Sequence, residues 1–219
     1  MKDNFIHVCF IIDKSGSMYG SEGDVIGGFK RVINEQKANA LGTCAVSLYE
    51  FDRNVKKHFV GMDINLVNEN LEYLPGGSTA MNDAIGTAVT EIGQWLNDMP
   101  EEKRPCKNLI VIMTDGEENS SIEYSLDQVK AMIKGQTEKY SWEFIYLGTD
   151  ITTTEYANNL GIYHQGYTTK DMHGSHYDWV NSTVNNYRSK TVACATMDMV
   201  TDLDNMNKEY EKKTGIKMT

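Results

Sequence analysis

Three oxygen-bearing side chains follow the first apolar stretch of the sequence at alternating positions. Asp13, Ser15 and Ser17 come directly after the apolar residues 5–12. Alternate side chains of an extended segment point in the same direction, so these three can face one point. Gly16 between them permits a tight turn. The spacing is therefore suited to holding a ligand just beyond a strand end.

Two further segments carry the same kind of side chain. Thr79 lies in a loop ahead of a helical pattern, and Asp115 follows the apolar stretch 108–113. Carboxylate and hydroxyl oxygens are ligands of hard cations, and no set of cysteines or histidines accompanies them. This combination favours Mg²⁺, Mn²⁺ or Ca²⁺ over Zn²⁺ or Cu²⁺.

The elements that must position these side chains alternate between apolar strand-like stretches and amphipathic helical patterns. Such alternation is typical of an α/β domain with a mostly parallel sheet and helices on both faces. The short polar turn 52–54 joins two strands as an antiparallel hairpin, so we expect one antiparallel edge strand. Six strands are predicted, over residues 5–12, 44–51, 55–60, 108–113, 142–147 and 162–166.

Helical patterns fill the intervals between the strands. We predict helices over about 22–38 and 81–96, a third that begins after Ser125, and a short one that ends near Gly161. Ser21 and Ser125 are each candidate N-terminal caps. From about residue 168 no strand pattern recurs, and the remainder predicts two helices, roughly 176–187 and 191–213. We therefore divide the chain into a domain over residues 1–168 and a C-terminal helical extension over 169–219.

The oxygen-bearing segments should meet in space, because parallel α/β sheets bind ligands at the carboxyl ends of their strands. In order along the chain these segments are DKSGS, GSTAMNDAI and IVIMTDGE. Together they resemble the metal-ion-dependent adhesion site of von Willebrand factor A domains, of the compact prokaryotic or phage type. The resemblance spans about residues 5–166 and implies a Rossmann-like fold with a central six-stranded sheet.

The resemblance also implies roles for five residues. Ser15, Ser17 and Thr79 would be direct or near-direct metal ligands, whereas Asp13 and Asp115 would act directly or through water. The implied ion is Mg²⁺, with Mn²⁺ and Ca²⁺ as alternatives. Neutral hydroxyl ligands leave the ion positive and with an open position, so an Asp or Glu of a partner protein can complete the coordination. Some relatives work beside AAA+ ATPases, which makes such an ATPase a candidate partner.

Two other functions remain open at this stage. A Mg²⁺-dependent phosphohydrolase or phosphotransferase would use Asp13, but such chemistry usually needs a second carboxylate two residues later, and that position is Ser15. A purely structural protein is the other alternative. No nucleophile is paired with a base in a known motif, so we expect no enzyme activity.

Other polar groups near the predicted site are interpreted more simply. Glu117 and Glu118 adjoin Asp115 and are expected to form a solvated acidic loop. A cluster at the start of the tail is interpreted as polar helix surface and not as a second metal site: Asp171, His173, His176 and Asp178.

Composition excludes some partners. The net charge is −10, from 21 basic and 31 acidic residues, and the longest basic run is Lys212–Lys213. Binding to nucleic acid or to an anionic membrane is therefore not expected. The apolar run 5–12 is too short to span a membrane and lacks a signal-peptide cleavage pattern. The four cysteines form no CxxC pair. These observations predict a cytoplasmic protein, in the host cytoplasm if a phage encodes it.

Overall fold

A computed structural model describes residues 2–148, 151–167, 173–189, 208 and 211–212. The strands are β1 Lys2–Asp13, β2 Thr43–Phe51, β3 Val55–Asp63, β4 Pro105–Met113, β5 Glu143–Gly148 and β6 His164–Tyr167. The helices are α1 Glu22–Ala38, α2 Met81–Asn97, α3 Leu126–Tyr140, α4 Ile151–Leu160 and α5 His173–Ser189. Strands and helices alternate as the sequence predicts.

The strands form one 6-stranded sheet in the order β3-β2-β1-β4-β5-β6. Five strands run parallel, and β3 pairs with β2 in the antiparallel sense at the edge. The predicted fold class, a mostly parallel sheet with one antiparallel edge strand and flanking helices, is confirmed. In this order β1 and β4 are central neighbours, with Ile12 opposite Met113. The residues that follow these two strands therefore leave the sheet side by side.

Alternate residues of β1 serve two separate cores. Phe10 and Ile12 lie in the core with Phe29 of α1, whereas Cys9 and Ile11 lie in the core with α2. Because both faces are covered, residues 5–12 of the strand are apolar apart from His7, as is typical of parallel sheets. This burial holds the end of β1 firmly in position.

Helix α5 packs against α1 on the first of these faces. Tyr177 and Trp179 belong to the same core as Phe29. A side chain at Gly28 would place its β-carbon 2.0 Å from the Tyr177 ring, so only glycine permits this close approach. The predicted helix at 176–187 is therefore present in α5. The second predicted tail helix, 191–213, lies outside the described residues apart from 208 and 211–212, and the domain division at residue 168 stays a prediction.

Arg188 of α5 closes the carboxyl end of α1. Its guanidinium donates to the Gln36 side chain at 2.9 Å and to backbone carbonyls in the last turn of α1 and in the residues just after it. These acceptors are the carbonyls of Gln36, Asn39, Leu41 and Gly42. Helix carbonyls at a C-terminus otherwise need water, so the arginine both caps α1 and attaches α5.

Of the two predicted N-terminal caps, one is present and one is absent. Ser125 and Gln128 form a reciprocal capping box at the start of α3. Ser21 at the start of α1 makes no side-chain cap, so its predicted capping role is wrong. Within the described part of the chain, no helix is both long and apolar enough to cross a membrane.

Candidate metal site

Asp13, the last residue of β1, lies at the centre of the site and is 0% exposed. One carboxylate oxygen accepts the Ser15 backbone N–H at 2.7 Å, and the other accepts the Thr114 hydroxyl at 2.6 Å. Thr114 follows β4, the neighbouring strand, so the carboxylate is held between two strand ends. Its orientation is set before any ligand arrives.

Burial makes the Asp13 charge costly. Loss of hydration raises the pKa of this carboxyl to about 6. The hydrogen bonds from Thr114 and Ser15 lower the pKa, and the nearby Asp115 carboxylate raises it. Two carboxylates thus influence each other in a poorly hydrated place, and a cation between them would relieve both the repulsion and the desolvation.

The two serines link Asp13 to Asp115. The Ser15 and Ser17 hydroxyls lie 3.0 Å apart, and Ser17 donates to Asp115 Oδ1 at 2.6 Å. Ser15 is buried and Ser17 is exposed, so the chain of oxygens leads from the interior to the surface. The two hydroxyls lie together as the spacing predicts, but the reason differs, because residues Gly16–Met18 form a 3-10 turn and not an extended segment.

Thr79 joins the same group across the space above Gly116. A side chain at Gly116 would place its β-carbon 3.1 Å from Thr79 Oγ1, 3.2 Å from Ser17 Oγ and 3.5 Å from Asp13 Oδ2. Three oxygens from two different loops therefore surround one small space that glycine keeps open. All five predicted residues are brought together at this edge of the sheet.

The nature of these donors decides which ligand they suit. Two carboxylates and three hydroxyls form a hard oxygen set. Among the described residues, no group of three or more His, Cys, Asp or Glu side chains is placed to hold a metal. Of the tail cluster, Asp178 forms an ion pair with Arg31, and the other three side chains lie outside the described residues. The donor set and the open space above Gly116 fit a small divalent cation.

Asp83, on the first turn of α2, holds the loop between β4 and α3. Its carboxylate accepts the backbone N–H groups of Ile122, Glu123 and Tyr124 at 2.8–2.9 Å. The loop that carries Asp115 is thereby attached to the helix that follows Thr79. Sequence reasoning did not identify this role, since the partners are about 40 residues apart and no spacing pattern marks them.

Glu118 strengthens the same attachment. It accepts N–H groups from Asn82, Ser120 and Ser121, at 2.8–2.9 Å, and the Ser121 hydroxyl at 2.7 Å. The prediction of a solvated acidic loop is therefore wrong for Glu118, whereas Glu117 is exposed as expected.

Reciprocal hydrogen bonds set the position of Thr79 itself. Its N–H donates to the Asn119 side chain at 2.9 Å, and its carbonyl accepts the Asn119 N–H at 3.0 Å. On the other side, the Gly16 N–H donates to the Gly77 carbonyl at 3.0 Å, and the Tyr73 hydroxyl donates to the Asp13 carbonyl. The three loops are therefore joined by backbone contacts as well as by the oxygen cluster.

The three cysteines that the structure describes are in two different states. Cys9 and Cys44 are buried free thiols, and burial raises the pKa of Cys44 to about 12. Cys106 is disulfide-bonded.

Comparison with known proteins shows to which family the chain is related. The model of the von Willebrand factor type A domain matches residues 7–161. Proximal thread matrix protein 1 from the mussel byssus superposes with a TM-score of 0.59 at 16% identity, over 84% of this chain and 46% of that one. A structure of the same protein with a zinc-occupied MIDAS motif gives 0.56 at 16% identity, over 88% and 46%.

A bacterial protein matches along nearly its whole length. The vWF domain of the pilus tip protein Mfa5 from Porphyromonas gingivalis gives a TM-score of 0.64 at 13% identity, over 88% of this chain and 99% of that one. The chain spans about half the length of the mussel protein. Identities this low show a common fold alone, whereas the family match covers most of the chain. The chain belongs to the von Willebrand factor type A domain family.

Proposed function

We propose that this protein binds one divalent cation through Asp13, Ser15, Ser17, Thr79 and Asp115 and uses it to bind a partner protein. Domains of this family are commonly metal-dependent protein-interaction modules. The observation that carries the proposal is the convergence of Thr79, Ser17 and Asp13 oxygens on the space above Gly116.

The five proposed ligands have two different roles. The Ser15, Ser17 and Thr79 hydroxyls are neutral donors, so they hold a cation without cancelling its charge. Asp13 and Asp115 supply the negative charge, directly or through water. A bound divalent ion would supply the electrophilic centre to which an Asp or Glu of the partner attaches. Ser17 is exposed, so we expect that carboxylate to approach from its side.

Mg²⁺ is the ion that we propose, with Mn²⁺ and Ca²⁺ as alternatives. All-oxygen sites with few charged ligands suit Mg²⁺, which keeps several of its waters. The zinc in the mussel protein's MIDAS motif is a property of that protein. Comparing calorimetric titrations with Mg²⁺, Mn²⁺, Ca²⁺ and Zn²⁺ would rank the ions for this chain.

We also propose that the protein is not an enzyme. Ser15 occupies the position where a phosphotransferase would need a second carboxylate, and its N–H is committed to Asp13. A Mg²⁺-dependent phosphohydrolase that uses Asp13 is the alternative. Phosphate release from nucleotides by the pure protein, abolished by Asp13→Asn, would support that alternative against ours.

The kind of partner protein and the cellular compartment of this protein are also proposals. An AAA+ ATPase is our candidate partner, and we do not expect nucleic acid or membrane to bind. The buried thiols of Cys9 and Cys44 suit a reducing cytoplasm, whereas a disulfide at Cys106 is more typical of an oxidising compartment. Alkylation and mass spectrometry of the protein taken directly from its cells would decide between a cytoplasmic and an oxidising location.

The experiment that tests the metal proposal compares two aspartates. Asp13→Asn retains the shape of the side chain and removes the charge, so Mg²⁺ binding measured by calorimetry should be lost while the fold survives. Asp127→Asn, on the exposed start of α3, is the matched control and should bind Mg²⁺ as the wild type does. Equal affinity in both variants would contradict the proposal.

A further inference from the structure

Each loop that carries a predicted metal ligand also exposes one large apolar side chain. Tyr19 is 66% exposed, Leu74 is 83% exposed and Ile122 is 91% exposed. Tyr19 follows Ser17 by two residues, Leu74 lies before Thr79 in the segment between β3 and α2, and Ile122 follows Asp115 in the loop between β4 and α3. We call these three residues the apolar rim. An apolar residue alone on a surface is ordinary, but here each of the three loops that meet at the candidate site exposes one.

The first two loops of the apolar rim are in contact. A β-carbon at Gly76 would lie 3.9 Å from the Tyr19 hydroxyl, and the Gly76 N–H donates to the Lys14 carbonyl at 2.7 Å. The segment that carries Leu74 therefore lies beside the segment that carries Tyr19.

Hydrogen bonds to buried groups hold the backbone at Ile122 and beside Leu74. The Ile122 N–H donates to the buried carboxylate of Asp83 at 2.8 Å. Leu74 follows Tyr73, which is buried and donates to the Asp13 carbonyl. Apolar groups held outward in this way lose little conformational freedom when a partner covers them, which favours binding.

Most of the charges on the loops of the apolar rim are acidic. Glu72, Glu117 and Glu123 are exposed there. On the basic side, Lys14 is in an ion pair with Asp52 at 3.4 Å, and Arg53 is exposed in the turn beside Gly77. A partner segment rich in acidic residues would be repelled by the three glutamates. A segment with basic residues outside the contact would be attracted.

From these observations we propose that the site recognises a protein segment of one particular chemistry. That segment carries a single Asp or Glu, apolar side chains beside it that cover Tyr19, Leu74 and Ile122, and Lys or Arg further out. The inference rests on the proposed metal-dependent function and adds the determinants of specificity.

The test begins with a displayed library of random dodecapeptides, selected on the full-length protein in Mg²⁺ and eluted with EDTA. We expect the selected peptides to share one acidic residue with apolar neighbours and flanking basic residues. A synthetic copy of the most frequent peptide is then titrated against Leu74→Ser and Ile122→Ser, singly and together. Each change should weaken peptide binding by about tenfold, since each removes one buried apolar contact.

Leu66→Ser is the matched control, because Leu66 is 75% exposed but lies beyond the other end of the sheet, after β3. It should bind the peptide as the wild type does. Mg²⁺ affinity, measured without peptide, should be unchanged in all four variants. If the protein binds Mg²⁺ but neither Leu74→Ser nor Ile122→Ser changes its affinity for the peptide, this inference is wrong and the proposed metal site is unaffected. Absence of Mg²⁺ binding by the wild type would overturn the proposed function itself.

Discussion

Gly116→Ala fills the proposed cation space without removing any proposed ligand. The new methyl carbon would lie 3.1 Å from Thr79 Oγ1 and 3.2 Å from Ser17 Oγ. Gly116 is not among the glycines with a positive φ, so alanine is compatible with its backbone. The hydroxyls need to move by only a few tenths of an ångström, and we expect the apoprotein to lose no more than about 1 kcal/mol of unfolding free energy.

The effect on metal binding should be much larger than the effect on stability. Mg²⁺ needs its oxygens at about 2.1 Å in a near-octahedral arrangement and tolerates little distortion. A methyl group between three of the proposed ligands takes space that the ion or its waters require. We expect Mg²⁺ affinity to fall at least tenfold, which is about 1.4 kcal/mol. Calorimetry gives the affinity, and urea unfolding without metal gives the stability.

Gly135→Ala is the control for this substitution. Gly135 lies in α3 with no atom within 4 Å of an added β-carbon. Alanine there should raise stability by up to about 1 kcal/mol through helix propensity and leave Mg²⁺ binding unchanged. Gly116→Ala protein that binds Mg²⁺ with wild-type affinity would refute the placement of the ion above Gly116.

Three further predictions concern the scaffold. Asp83→Asn leaves one acceptor oxygen for three N–H groups, so the unfolding free energy measured in urea should fall by about 1–3 kcal/mol and Mg²⁺ binding should weaken. Wild-type stability together with wild-type Mg²⁺ affinity would contradict the positioning role of Asp83. Arg188→Met should lower the unfolding free energy by about 2–4 kcal/mol, because the Gln36 carbonyl of α1 and the Leu41 carbonyl after it lose a charged donor, and a neutral result would show that water replaces it. Burial lowers the pKa of His7 to about 3, below its ordinary 6.5, so the unfolded chain takes up the proton first and stability falls as the pH drops from 6.5 towards 3. Between pH 6.5 and 5, His7 should lower the unfolding free energy by about 2 kcal/mol. Asp13 contributes with the opposite sign, so the unfolding free energies of wild type and His7→Gln are compared at both pH values. Parallel pH profiles of the two proteins would contradict the prediction for His7.

The fold was largely predictable because its strands are buried on both faces. A continuous apolar run such as residues 108–113 is typical of a central parallel strand, and the turn 52–54 marks the single antiparallel pair. Helix α1 begins and ends where the pattern predicts. Strands β1 and β4 are longer than predicted, since pairing with neighbouring strands continues past the apolar residues.

The grouping of the five residues proposed as ligands could be predicted from the sequence, but the residues that hold their loops in place could not. Asp13, Ser15 and Ser17 are recognisable because they lie close in sequence at a strand end. Asp83 and Glu118 act through backbone N–H groups contributed by another loop, and any carboxylate near a turn could do the same. Only the three-dimensional structure shows which loop lies against which helix.

Diffraction from crystals grown with Mn²⁺ tests the central claim most directly, because the anomalous signal locates the ion itself. We predict one strong peak among Asp13, Ser15, Ser17, Thr79 and Asp115, within about 2.0–2.6 Å of the hydroxyl oxygens. Crystals of Asp13→Asn grown in the same way should lack this peak. A peak elsewhere, or none in the wild type at saturating Mn²⁺, would contradict the account.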